Sequence, residues 1–534
     1  MSTSEYSARG AGGAGPAKLR AALGARTLST EAWIVAMLVL VAAVIRFVVI
    51  NNQSLWADEA LTSYEARLSF GSMLNVVLHV ETTPPLYFVV IWVWGHVLGT
   101  GAVALRLLST LAGIAVVPIA YLCGRELASR RAGVIAAAFV TLNPLLIWYS
   151  QEARAYMLLV ALSGASFLWF ARARAEPSTR NLAWWTAWSS LALMTHFFAA
   201  FLVAAEGLWL LWTVRTRLVV RALAVVAIVE AAMLPFAVLD TGHGPGWIAA
   251  EPRINRISQA ISEWGTSILY RRTPIAVGLI AGAVLVGIVA VLGVFGGDRR
   301  TRGAVAAGAL VGAVVWIAPL ALGYLGQDYF LSRNVMPAVI PLIVAVAAAC
   351  AGARARVLGA ALAATLLALF AFAAVRVQTQ PYLQRPNWRA VAHALGPAEL
   401  PRAVFAANGT TADPLKIYLQ GVDWSAPYAR RFWVREVDVV GATKRLGLLA
   451  VRRSGPRALL EGAVVHPVGP SVPAMIAPPG ARLIARFRLH NWVLARFELR
   501  HPIRVTVGQM TALAPRFFRR TPRKLLVFFQ RPAR

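Results

Sequence analysis

The chain alternates long apolar blocks with short arginine-rich breaks over its first two-thirds. Most blocks run for about 18–25 residues, the length that crosses ~30 Å of hydrocarbon at ~1.5 Å per helical residue. Basic clusters in short loops mark the cytoplasmic side of a span. Taking the tail with Arg9, Lys18, Arg20 and Arg26 as inside, later inside clusters are Arg125/Arg130/Arg131, Arg172/Arg174/Arg180, Arg215/Arg217/Arg221, Arg299/Arg300/Arg302 and Arg354/Arg356. An even number of spans must separate consecutive clusters, and this parity resolves two ambiguous blocks. Leu182–Val214 is 33 residues long, ~50 Å as a single helix, so it turns back near Thr195-His196. Pro84–Leu98 has 15 residues, and if it spanned, Arg130 and Arg131 would lie outside. It is therefore predicted as an interfacial or re-entrant helix with Trp92 and Trp94 at headgroup level. The predicted spans are 31–50, 105–124, 133–149, 155–171, 182–196, 197–214, 219–239, 275–295, 303–323, 336–352 and 357–376.

Beyond Val377 the spanning pattern stops. Asn387–Leu395 and Pro414–Leu419 predict helices, Ala403–Ala407 a strand, and Leu483–Leu489 with Trp492–Leu499 a hairpin turning at His490-Asn491. The segment Pro515–Arg534 interleaves Phe517-Phe518 and Leu525–Phe529 with Arg and Lys, as interfacial helices do. The expected organisation is a cytoplasmic disordered tail (1–30), a transmembrane module (31–376) and an extracytoplasmic α/β domain with a basic amphipathic tail (377–534).

Composition supports a bilayer protein: 58% of the 534 residues are hydrophobic and 14% charged. The net charge of +30 could suit nucleic acid, but the arginines sit at helix ends and after residue 377, where 25 Lys and Arg face 7 Asp and Glu. A membrane and an anionic envelope partner explain that placement better. Cys123 and Cys350 are the two cysteines, which excludes a disulfide framework or a thiolate metal site. The first apolar run, Trp33–Ile50, is followed by no small-residue cleavage site and is expected to stay as the first span.

The topology gathers acids on the outer face: Asp58, Glu59, Glu65, Glu81, Glu152, Asp240, Glu251, Glu263 and Asp328. Asp58 and Glu59 lie where the first span leaves the bilayer, an expensive position for charge that binds nothing. One carboxylate could take a proton from an attacking hydroxyl. The same residues also fit an ordinary acidic helix start capped by Ser54 or Asp58. Glu81, followed by the stiff Thr82-Thr83-Pro84-Pro85-Leu86-Tyr87, suits the wall of a site. Arg154 and Arg333 are the candidates for holding a lipid phosphate, since guanidinium grips two oxygens; snorkelling to ordinary headgroups is the alternative. His196 could join them or simply pack helices. Glu206 and Glu230 fall inside spans without a readable partner. No nucleotide-binding loop is present. The carboxylates could hold a divalent cation, but no spacing demands a metal.

The ordered set Asp58-Glu59, Pro84-Pro85-Leu86-Tyr87, Arg106-Leu107-Leu108-Ser109, Asn143-Pro144, Tyr149 to Tyr156, Thr195-His196-Phe197, Tyr329 to Asn334 and Asn387-Trp388-Arg389 resembles the GT-C glycosyltransferases. The nearest group is the bacterial family related to protein O-mannosyltransferases and the aminoarabinose transferase of lipid A. The resemblance covers about residues 31–430 and implies a polytopic helical membrane protein with a small C-terminal α/β domain. It also implies an inverting transferase that takes mannose, arabinose or a similar sugar from a polyprenyl phosphate. Asp58 inherits the role of catalytic base, with Glu59 binding acceptor or tuning that base. Arg154, Arg333 and His196 would contact donor phosphate, and Glu81, Tyr87, Gln151 and Glu152 would line substrate. One departure stands out: many relatives carry His directly before Pro-Pro, where this chain has Thr83. His79, close by, reads as a surface or headgroup contact. The acceptor would be a glycan, lipid or protein of the cell envelope. A transporter or flippase of lipid-linked sugars is the competing class, although no inverted repeat of broken spans supports it.

Overall fold

In the computed structural model, residues 29–239, 251–265, 275–407, 412–419, 429–442, 477–489, 492–519 and 525–532 are described, with 248, 422 and 473 as isolated positions. The predicted tail up to residue 28, Asp240 and the His490-Asn491 turn lie outside these residues.

Sixteen helices form the first part: α1 (Thr30–Val49), α2 (Ala57–Glu65), α3 (Phe70–His79), α4 (Leu86–Leu98), α5 (Ala102–Leu127), α6 (Arg130–Leu142), α7 (Pro144–Ser150), α8 (Tyr156–Ala175), α9 (Thr179–Leu193), α10 (Ala199–Val214), α11 (Arg217–Val238), α12 (Arg253–Gly265), α13 (Ile275–Gly296), α14 (Arg299–Tyr324), α15 (Val339–Ala351) and α16 (Arg356–Thr379). Each predicted span coincides with one of them, except that 133–149 is divided and 336–352 opens with a 3-10 turn over Met336–Ala338. Among the described residues, six helices are long and apolar enough to cross a bilayer, or seven if α6 and α7 count as one span bent by 56°. The paired block 182–214 turns between α9 and α10, with the turn at 194–198. The segment after Pro84-Pro85 is the 13-residue α4. Its Trp92 and Trp94 indoles donate to the carbonyls of Leu68 and Ala104.

The break between α6 and α7 has a local cause. Asn143 ends α6 and caps α7, accepting from the Leu145 and Leu146 amides at 3.0 and 3.1 Å, and Pro144 occupies the first position, where its missing N–H costs nothing. The carbonyls stranded at the end of α6 are met by Arg46 of α1, which is fully buried. It donates to Val140 O (3.1 Å), Thr141 O (3.3 Å) and Ser150 Oγ (3.1 Å). Gly113 makes room for this contact, since a Cβ there would stand 2.2 Å from Ser150 Oγ and 3.0 Å from Arg46 Nε. The intramembrane Glu206 of α10 is likewise paired, accepting from Ser166 Oγ at 2.6 Å and Trp185 Nε1 at 2.9 Å.

The second part contains α17 (Trp388–Leu395), β1 (Arg402–Ala407), α18 (Leu415–Tyr418), β2 (Phe432–Ala442), β3 (Ala481–Leu489), β4 (Trp492–Val505), α19 (Val507–Phe517) and β5 (Leu525–Gln530). The strands make one sheet ordered β3-β4-β2-β1-β5, with β1 and β2 parallel and the other pairs antiparallel. The predicted strand, both short helices and the hairpin strands are all present. The predicted interfacial helix over Pro515–Arg534 is not: α19 ends at Phe517 and Leu525–Gln530 is a strand. The Leu-Leu-Val-Phe-Phe run favours extended backbone, and the edge of β1 supplies the hydrogen-bonding partners. Phe529 then stacks on Phe432 with ring centroids 4.2 Å apart.

Arg402 ties the sheet together from inside. With its side chain 1% exposed, it reaches Glu436 at 3.2 Å and Asp438 at 3.1 Å, and donates to Leu395 O, Gly396 O and Gln530 Oε1. Arg402→Met would leave Arg496 as the remaining cation on Glu436 and Asp438. The expected loss is about 1–3 kcal/mol of domain stability, read as faster hydrogen exchange in β1 and β2 while the helical part keeps its protection.

Candidate functional site

The site grows from the turn between α1 and α2. Asp58 and Glu59 occupy the first turn of α2, and adjacent helical residues point about 100° apart. Glu59 turns inward. Its Oε1 accepts from Arg106 Nε (2.7 Å) and the Ala153 amide (2.9 Å), and its Oε2 from Arg106 Nη2 (2.6 Å). Both side chains are 0% exposed. Burial pushes the Glu59 carboxyl upward, but Arg106 outweighs it and holds the group below the usual carboxylate range. Arg106 also donates to the carbonyls of Ile50, Gln53 and Ser54, so one guanidinium folds the whole turn that delivers α2. Glu59 is therefore turned away from any acceptor and pairs with Arg106 directly behind Asp58, which leaves the second part of its predicted role, tuning the base.

Asp58 turns the other way. Its side chain is 32% exposed, and Oδ2 lies 3.7 Å from Arg333 Nη1. The segment bearing Arg333 is fixed from α12. Arg256 donates to both carboxylate oxygens of Asp328 (2.9 and 2.6 Å) and to Phe330 O (2.9 Å), and Arg253 adds a further contact to Asp328 at 2.9 Å. These bonds, Arg256 first, hold the Asp328 carboxyl down to about 2. The Arg333 guanidinium lies 6.0 Å from the Tyr156 ring centre.

The other predicted residues surround this pair in different capacities. Arg154, expected on phosphate, forms a two-pronged pair with Glu81, both bonds 2.9 Å, and donates to Thr62 Oγ1 at 3.3 Å. With exposures of 9% and 4%, the two form a buried pair. Arg154 and Glu81, expected on donor phosphate and on substrate, are thus found on each other. His196 is buried; its Nδ1 accepts from the Phe198 amide at 3.2 Å and its ring lies against Tyr156 and Phe198. Gln151 donates to Ile147 O at 3.1 Å. Glu152 is paired with Arg385, a residue the sequence reading did not single out. Tyr87 is buried at the start of α4, where the Leu86 amide donates to Met194 O at 2.9 Å. Buried polar atoms without a protein partner remain at Trp56 Nε1, Thr83 Oγ1, Tyr87 Oη, Gln151 Oε1, Glu152 Oε1 and Ser332 Oγ, a mixture of donors and acceptors.

Arg385 stands just after α16, next to Pro386, where an isolated arginine looks like a headgroup contact. No local pattern could have revealed it, because its partners are more than 230 positions away. Among the described residues, no group of three or more His, Cys, Asp or Glu side chains is placed to hold a metal ion. The arrangement sets the part-exposed Asp58 carboxylate beside the Arg333 guanidinium, with buried arginine–glutamate pairs behind them.

Residues 82–239 match the family of dolichyl-phosphate-mannose-protein mannosyltransferases. The fold is similar to ArnT from Cupriavidus metallidurans, solved bound to undecaprenyl phosphate, with a TM-score of 0.50 and 13% identity over 88% of this chain and 98% of that one. It is also similar to an oligosaccharyltransferase from Archaeoglobus fulgidus (TM-score 0.40, 15% identity, 68% of this chain and 55% of that one). A third similar structure is the arabinofuranosyltransferase AftD from Mycobacteria (TM-score 0.42, 16% identity, 88% and 42%). No curated protein matches the sequence.

Burial pushes the Glu152 carboxyl from its ordinary 4.5 up to about 7, against the pull of Arg385. A raised folded-state value means the folded protein binds the extra proton, so this contribution to stability is full below about 4.5 and is lost as pH rises through about 7. The thermal midpoint in detergent should fall across that interval, and Glu152→Gln should flatten the fall. A variant with the wild-type slope would contradict the assignment.

Proposed function

We propose that the chain is a membrane glycosyltransferase of the GT-C type, a reading supported by the family match over residues 82–239 and by the fold it shares with ArnT, and that it transfers a sugar from a polyprenyl-phosphate carrier to a cell-envelope hydroxyl with inversion at C1. Asp58 is the general base. The observation that carries the reading is the 3.7 Å approach of its part-exposed carboxylate to Arg333, while Glu59, Glu81 and Glu152 are occupied by other arginines. The acceptor hydroxyl gives its proton to Asp58 and its oxygen bonds to C1. The C1–O bond to phosphate breaks, and polyprenyl phosphate leaves with the electron pair. Arg333 neutralises the charge developing on that phosphate, an effect that is stronger where water is excluded.

The basic loop clusters support about eleven spans with the N-terminal tail inside. The α/β domain, residues 377–534, then lies outside with the site, and its excess of arginine would draw an anionic glycan or phospholipid. Mannose and arabinose are both compatible donors.

The test uses purified protein in lipid vesicles with polyprenyl-phosphoryl mannose or arabinose and envelope acceptors. Asp58→Asn should reduce transfer by roughly 10²–10⁴-fold and still bind undecaprenyl phosphate, whereas Arg333→Ala should weaken that binding as well. Transfer that survives Asp58→Asn would overturn the assignment of the base. Lipid scrambling by a wild-type protein that transfers no sugar would favour transport.

A further inference from the structure

We propose that Arg385 is a positioning residue for Asp58, and that through it the α/β domain forms part of the reaction site. The inference rests on the reading of Asp58 as general base, and its argument is geometric. Arg385 lies between α16 and α17, in the short connection from the helical part to the sheet. Its side chain is 6% exposed and points back into the helices. There it meets Glu59 at 3.5 Å, pairs with Glu152, and donates to Gln151 O at 3.3 Å. The guanidinium carbon also lies over two indoles, 4.5 Å from the Trp148 ring centre and 5.5 Å from that of Trp56.

Two of these partners bracket Asp58 in the chain. Trp56 precedes α2 and its amide donates to Glu59 Oε2 at 3.4 Å; Glu59 follows Asp58 directly. Arg385 thus touches the residues on both sides of the base while leaving the base itself to Arg333. Arg106 already saturates Glu59 with two short bonds, so Arg385 is not required to hold that acid ionised. What it adds is direction: a planar fork in contact with Trp56, Trp148 and Glu59 at once limits rotation of the first turn of α2.

The same connection is bonded along its length to the segment that leads into α2. The Arg385 amide donates to Gln53 Oε1 (2.9 Å), and Ser54 Oγ donates to Pro386 O (2.7 Å) while accepting from the Trp388 amide (3.0 Å). The Leu55 amide donates to Tyr418 Oη of α18 at 2.8 Å. A rotation of the sheet domain therefore cannot occur without moving residues 53–56. A displacement of about 1 Å at a reacting group costs on the order of 100-fold in rate, so the domain has leverage over the chemistry without contacting the sugar.

The full chain in lipid vesicles, with polyprenyl-phosphoryl mannose as donor, tests this through Arg385→Lys and Arg385→Ala. Lysine keeps a cation beside Glu59 and Glu152 and so preserves the fold, but it has neither the fork nor the plane. The expectation is a thermal midpoint near wild type, kcat lowered roughly 10- to 100-fold, and KM for donor within about two-fold. Added guanidinium should restore part of kcat to Arg385→Ala. A lysine variant with wild-type kcat would overturn the proposal, as would a loss confined to KM. Asp58→Asn is run alongside: if it still transfers sugar, the reading of the base has failed, and if it is inactive while Arg385→Lys is not, only the positioning role has failed.

Discussion

A guanidinium and a carboxylate sealed away from water, Arg106 and Glu59, set the conditions for everything around them. Neither charge would be stable alone in that position, since desolvating an ion costs several kcal/mol. Together they close two short bonds, and the remaining donors of Arg106 take up three carbonyls of the turn before α2. The pair therefore fixes both where α2 begins and which way its first turn faces. Asp58 is exposed because its neighbour is not.

Other buried ions repeat this arrangement around the site. Arg154 with Glu81, Arg256 with Asp328, and Arg385 with Glu152 each join elements distant in sequence. Removing one partner of such a pair leaves an unmatched charge, which makes the lattice intolerant of single changes. Rigidity of this kind suits a reaction that depends on holding a base and a phosphate in register. The flexible cost falls on Asp58 and Arg333, whose separation is the longest of the pairs described around the site.

The membrane pattern of the fold was open to reading from sequence because hydropathy and arginine placement are local signals. Block lengths located the helices, and the parity of arginine clusters located the α9–α10 turn. The site was legible in part. Asp58 and Arg333 were named from their position at span ends and are neighbours in space. The partners of Arg154, Glu152 and Glu59 lie 73, 233 and 47 positions away, and nothing local announces such pairings. Two signals were present and missed. Helical phase alone says that Asp58 and Glu59 cannot share a direction, and Arg46, a charge inside an apolar run, had to have a buried task. The final strand was misread because alternation of aromatic and basic residues suits a membrane surface and a sheet edge equally.

The late arrival of β5 has a consequence for how the protein is made. β1 leaves the ribosome long before the residues that close its outer side, and β2, which covers the other side, also comes later. During that interval an apolar strand with open hydrogen-bonding edges is available to any passing segment, including a sister chain. The nascent sheet is therefore a point where assembly needs shielding, and its topology favours slow closure over local zippering.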